Sequence, residues 1–204
     1  TILGFAIEPE TEAAIRKNAA WIQAISKERI RDEFSKIIMA TETPPRERAK
    51  NFAVPTDAPL VEPNVPGESL ERIGASNAWI GMETLRRLGL LRYVVPELED
   101  GIGCTQNKHH VYTVWEHNMR SLDYAAKNRW PLAVRIGALF HDIAKPRAKV
   151  GEGPDSTFYG HDVLGAKMTY QILSRLRYPE VFVERVAKLV RWHLFRYDYE
   201  ADEV

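Results

Sequence analysis

Residues 131–146 read PLAVRIGALFHDIAKP, and the fold follows from this stretch. Pro131 suits the opening of a helix, and Leu132, Ile136, Leu139, Phe140 and Ile143 then recur at helical spacing until Pro146 stops the run. His141, Asp142 and Lys145 fall off that apolar stripe, so the segment packs with one face and offers polar chemistry on another. Downstream, Leu164, Met168, Ile172 and Leu176 predict a helix over about 162–176, and Phe182, Val186, Leu189 and His193 one over about 179–194. No stretch alternates well enough for a sheet, so the expected class is all-α.

Working towards the N-terminus, a short VVPELE turn follows a helix marked by Ile80, Leu85 and Leu88 and closed by Gly89. Residues 43–67 hold Pro44, Pro45, Pro55, Pro59, Pro63 and Pro66 without a sustained apolar period, the signature of a linker or insertion. Before it, Pro9, Ile15, Ala19, Ile22 and Ile25 predict a helix to about Ser26. Ser26 can then cap a second helix whose Ile30, Phe34, Ile37 and Ile38 share a face, ending near Thr41.

The composition is that of an ordinary folded domain: 204 residues, 45% hydrophobic and 27% charged. Lys and Arg total 28 against 28 Asp and Glu, so there is no global attraction to nucleic acid and any RNA contact needs a local patch. Arg175, Arg177, Arg185, Lys188, Arg191 and Arg196 offer one, or are the solvated faces of two helices. The lone Cys104 excludes an internal disulfide and fits a reducing cytoplasm. No apolar run approaches the ~18 residues that span a bilayer. The opening TILGFAIEPET reads as mid-protein sequence, so a fragment is expected. Trp115, Trp130 and Trp192 are taken as core or rim packing.

Four histidines and an aspartate carry the chemical signal: His117 in WEHNM, His141 and Asp142 in LFHDIAKP, His161 in FYGHDVLG and His193 in VRWHLF. Imidazole plus carboxylate is a ligand set for a hydrolytic transition-metal centre. Each residue also has a plain structural reading: a local salt bridge for His141 and Asp142, a polar residue on a packed helix for His117, a turn residue for His161, and a buried core histidine for His193. Lys145, one turn from His141, would set an ammonium beside a metal and favour a phosphate-bearing substrate, unless it is simply a solvated charge. His109 and His110 are read as loop residues.

The order of these residues resembles the HD superfamily of metal-dependent phosphohydrolases, an all-α fold. More particularly, IGCTQNKHHVYTVWEHNMRSLD, LAVRIGALFHDIAKP and FYGHDVLGAKM resemble the HD region of the bacterial tRNA nucleotidyltransferases, the CCA-adding and poly(A) polymerase family. GFAIEPETEAAI, ERIRDEFSKIIMA and LRRLGLLRYVVPELE are similar to the neck and body helices of that family. The resemblance implies neck-like helices over 1–42, a Pro-rich insertion over 43–70, body helices over 71–105 and an HD-type bundle, C-terminally truncated, over 106–204.

It also implies His117, His141 and Asp142 on one divalent ion, with Asp142 bridging to a second held by His161 and His193. Asp142 and Lys145 then serve hydrolysis of a nucleotide or RNA phosphoester. Mn, Fe, Co, Ni and Zn all suit the ligands, as one ion or two. The family's nucleotide-binding and acidic polymerase motifs do not occur here, so the chain is not expected to add nucleotides. The aspartate that usually completes an HD site has only Asp198 and Asp202 as weak stand-ins. Two rivals remain: a non-catalytic tRNA-binding body and a di-iron oxygenase on the same ligand pattern.

Overall fold

The computed structural model describes residues 7–40, 74–107 and 111–194. The proline-rich stretch over 43–67, His109, His110, Arg196, Asp198 and Asp202 lie outside them. Nine α-helices occur among the described residues: α1 Pro9–Asn18, α2 Lys27–Ile38, α3 Asn77–Arg87, α4 Leu91–Val94, α5 Val114–Lys127, α6 Leu132–Phe140, α7 Lys145–Ala148, α8 His161–Arg175 and α9 Glu180–Arg191. No strand is present among these residues beyond a single antiparallel bridge between Val150 and Thr157, which supports the all-α reading. None of the described helices is long and apolar enough to cross a membrane.

Three boundaries differ from expectation. The first helix passes at Ala19 into a 3₁₀ segment, Ala19–Ala24, instead of running on to Ser26. The second begins on Ser26, whose hydroxyl accepts from the Arg29 amide as predicted, but ends at Ile38. The third difference matters most for function. Helix α6 ends at Phe140, and 141–144 form a turn in which Ile143 N–H donates to the Phe140 carbonyl and Lys145 N–H to the Asp142 carbonyl, both at 3.0 Å. Pro146 therefore opens α7 and does not close α6. In i→i+3 bonding, side chains three apart eclipse, so Asp142 and Lys145 fall on one edge of the turn.

The core is continuous from α2 to α9. Phe34, Ile38, Met82, Met119, Leu122, Ile136, Leu139, Phe140, Ile172 and Val186 are fully or almost fully buried in it. Helices α8 and α9 pack closely because Gly165 has no side chain: a Cβ there would meet Val190 Cγ1 at 3.2 Å and the His141 carbonyl at 3.7 Å. That contact seats α8 on both α9 and the turn after α6. At the N-terminal side, Arg31 donates to the Arg177 carbonyl at 2.7 Å, and Ser35 shares a 2.6 Å hydrogen bond with Tyr178.

Helix α5 opens with a capping box, in which Thr113 Oγ1 accepts from the Glu116 amide while the Glu116 carboxylate accepts from the Thr113 amide. This fixes the first turn, which carries His117. Thr113→Ala should lower stability by about 1 kcal/mol, measured by urea unfolding, and Thr113→Ser should restore most of it. Equal stability of all three proteins would show that the cap does not set the turn.

Of the expected basic patch, Arg175 forms a two-pronged pair with Glu97 at 2.8 and 2.9 Å, and Arg191 pairs with Asp162. These two fasten the fold. Arg177, Arg185 and Lys188 are exposed.

Candidate metal centre

The five residues singled out in the sequence converge from four places in the chain. His117 comes from the first turn of α5, His141 and Asp142 from the turn after α6, His161 opens α8, and His193 lies just past α9. Asp142 is 2% exposed and sits at the middle. Its Oδ2 lies 3.4 Å from His117 Nε2 and 3.2 Å from His141 Nε2, and its Oδ1 lies 3.2 Å from His161 Nε2 and 3.5 Å from His193 Nε2. Each carboxylate oxygen thus faces one histidine pair. The ligand atoms fall into two groups that could hold a metal ion, His117–His141–Asp142 and Asp142–His161–His193. Asp142 is the only carboxylate in either group among the described residues.

The orientation of the rings tests whether these side chains suit a cation. Nδ1 of His141, His161 and His193 lies 2.8, 2.7 and 2.6 Å from the carbonyls of Ala138, Phe158 and Val190. A carbonyl can only accept, so each Nδ1 carries a proton and Nε2 is the nitrogen turned toward Asp142, where it donates when protonated and offers a lone pair to an ion when not. Nε2 of His161 and of His193 are 3.3 Å apart, and those of His117 and His141 are 3.0 Å apart. Lone pairs at such distances repel unless a proton or a metal ion lies between them. The donor set, its tautomers and its single shared carboxylate fit a divalent ion.

Burial would raise the pKa of Asp142, but hydrogen bonds from His141, His161 and His193 hold its carboxyl far below the usual carboxylate range. Burial would lower the pKa of His193, yet the Asp142 carboxylate and the Val190 carbonyl raise it above the ordinary histidine value.

Lys145 belongs to the same cluster but points inward. Its ammonium donates to Asp142 Oδ2 and to Gln106 Oε1, each at 2.7 Å, and the residue is 7% exposed. Gln106 was not singled out in the sequence. It is buried, holds the Tyr112 carbonyl through Nε2 at 2.9 Å, and serves as the second acceptor for Lys145. An uncharged residue in an irregular segment leaves no periodic or spacing signal, so only its place beside Lys145 reveals it.

Two cavities open on this cluster. One, of about 390 Å³, is lined by Asp142, Lys145 and all four histidines, with Phe158 and Tyr159 at its side. The other, of about 520 Å³, shares His117, His141 and His193 with the first and runs away from them between α5, α6 and α9.

Comparison with known proteins gives a consistent placement. Residues 109–203 match the HD domain family, and residues 4–45 match the family described as "Probable RNA and SrmB- binding site of polymerase A". The chain is 33% identical to the A-adding tRNA nucleotidyltransferase of Deinococcus radiodurans and 32% identical to the CC-adding tRNA nucleotidyltransferase of Thermus thermophilus. Both alignments cover 95% of this chain and 39% of the relative, so the chain spans about two fifths of their length. A shorter match, 37% over 98 residues, links it to the multifunctional CCA protein of Chromobacterium violaceum, with 47% of this chain and 24% of that protein covered. The chain is thus a homologue of the C-terminal region of the CCA-adding tRNA nucleotidyltransferases and carries an HD domain.

Proposed function

We propose that this chain is a metal-dependent phosphohydrolase acting on phosphoesters of nucleotides or RNA ends. In this reading His117, His141 and Asp142 hold one divalent transition-metal ion, and Asp142, His161 and His193 hold a second. The observation that supports it best is the shared carboxylate, with one oxygen toward each histidine pair and Lys145 bonded to it. The mixed nitrogen and oxygen donors suit Mn, Fe, Co, Ni or Zn. When bound, such an ion supplies Lewis acidity and a water activated near neutral pH.

The chain's own residues account for the rest. The three Nδ1–carbonyl bonds hold the rings with Nε2 toward Asp142, the orientation in which they would ligate. Lys145, itself held by Gln106 Oε1, anchors the carboxylate, and the ammonium leaves the site less negative toward an incoming phosphate. The cavity beside Lys145 is large enough for a phosphoryl group and part of a sugar.

The test is hydrolysis of 2′,3′-cyclic AMP and 2′-AMP by the full chain reconstituted with each metal in turn. Turnover should require the ion, disappear with chelator and fall about a hundredfold in Lys145→Met. Metal bound at full stoichiometry with no turnover of any phosphoester would overturn the enzymatic reading. The match of residues 4–45 to an RNA-binding family then favours the second reading, a tRNA-binding body, whose mark is steep weakening of tRNA binding with salt.

A further inference from the structure

We propose that the larger cavity is a base-binding subsite, which takes the nucleobase of the nucleotide or RNA end whose phosphate lies at the histidine centre. The inference rests on the phosphoester reading above and adds where the rest of the substrate goes. Three observations carry it.

The first is continuity. His117, His141 and His193 line both cavities, so a molecule lying in the larger one abuts three of the four histidines of the cluster. The cavity's volume, about 520 Å³, falls within the ~300–1,000 Å³ typical of small-ligand clefts.

The second is the way the groove is built. Residues 117, 120, 121 and 124 form one face of α5, and residues 134, 137, 138 and 141 lie on or just past α6 at the same spacing. The two rows run side by side from the histidines outward. Gly137 and Ala138 keep the floor low. A Cβ on Gly137 would lie 3.4 Å from Leu189 Cβ and Cδ1, close to ordinary van der Waals contact, so α9 stands directly against α6 as the third wall.

The third is the chemistry along the groove. At the histidine end, the Arg120 guanidinium sits 3.9 Å over the Tyr112 ring, one turn along from His117. At the far end Tyr124 and Trp130 meet edge to face, with ring centroids 5.4 Å apart at 77°. These two rings remain 60% and 40% exposed. A cation beside the metal ligands and bare aromatic surface farther out match a ligand that is anionic at one end and planar and aromatic at the other. A nucleotide has that form. A bare phosphate or a sugar phosphate would leave the aromatic end unused, and an acyl chain would bring no planar face to stack on it. Trp130, read in the sequence as packing, thereby becomes a stacking residue.

The experiment is equilibrium dialysis of labelled adenosine against the metal-free full chain, with Trp130→Ala and Ala138→Leu as variants. Adenosine carries no phosphate and needs no ion, so its binding reports the groove alone. Binding to the parent chain, weakened about tenfold in Trp130→Ala and lost in Ala138→Leu, whose larger side chain fills the floor, would establish the subsite. Failure of the parent chain to bind adenosine, or equal binding by parent and variants, would overturn it. Circular dichroism checks that each variant folds, and Trp130→Ala decides the matter if the Ala138→Leu variant does not. Phosphoester turnover without adenosine binding removes the subsite and keeps the phosphohydrolase. Adenosine binding without turnover does the reverse.

Discussion

Asp142→Ala protein, reconstituted with Mn, Ni or Zn and freed of excess ion, is expected to retain no metal by elemental analysis, while His193→Ala retains part of the parent content. The asymmetry follows from the geometry. Asp142 is the carboxylate common to both candidate groups, with Oδ2 toward His117 and His141 and Oδ1 toward His161 and His193. Removing it leaves each group with two neutral imidazoles and no negative charge to offset a divalent cation. It also leaves the Lys145 ammonium, held 2.7 Å from Asp142, as the nearest unbalanced charge, which repels an incoming ion. His193→Ala instead spares the group made by His117, His141 and Asp142. Full metal content in Asp142→Ala would sink the shared-carboxylate arrangement. Complete loss in His193→Ala would reduce it to one ion that needs every histidine.

The candidate ligand set was legible in the sequence because metal binding demands particular residue types, and four histidines with the His141-Asp142 pair stand out in a chain of 204 residues. The helical class was legible because Leu132, Ile136, Leu139 and Phe140 repeat at one period. That same regularity hid the end of α6. In the i→i+3 turn that follows, Ile143 still falls under Phe140, so the apolar stripe continues although the helix does not. Lys145 was legible as a cation one turn from His141 but its acceptors were not, since sequence gives the spacing of a side chain and not its partners. Its second partner, Gln106, lies 39 residues away in an irregular segment. The groove of the proposed base subsite was illegible for a related reason. Gly137 and Ala138 read as ordinary helix residues, and their place on the groove appears only when α5 and α9 are brought alongside α6.

Arg135→Met is expected to cost about 3–5 kcal/mol of stability in urea unfolding. Arg135 is 1% exposed, and no carboxylate among the described residues forms an ion pair with it. Its guanidinium instead donates to three carbonyls: Trp130 at 2.7 Å, Ile38 at 3.1 Å and Ala126 at 3.3 Å. Ile38 is the last residue of α2, and Ala126 lies in the last turn of α5. Helix C-termini each carry roughly half a negative charge, so two of them plus a loop carbonyl stand in for the missing acid. Burial still lowers the pKa of this guanidinium, the sign that the compensation is incomplete. Methionine keeps the volume and drops the three donors, which strands buried acceptors at about 1–3 kcal/mol each, offset by relief from the cost of burying the charge. Against a typical total of about 5–15 kcal/mol, that loss is severe. Arg135→Lys should fall between the two, because an ammonium cannot span all three carbonyls in one plane. The residue lies on α6 six positions before His141, so it fastens the helix that delivers the ligands without touching them. Arg135→Met should therefore keep its metal content at low temperature and lose it together with the fold on heating. A loss under about 1 kcal/mol would mean that water replaces the guanidinium at these helix ends and that α6 is held by apolar packing alone.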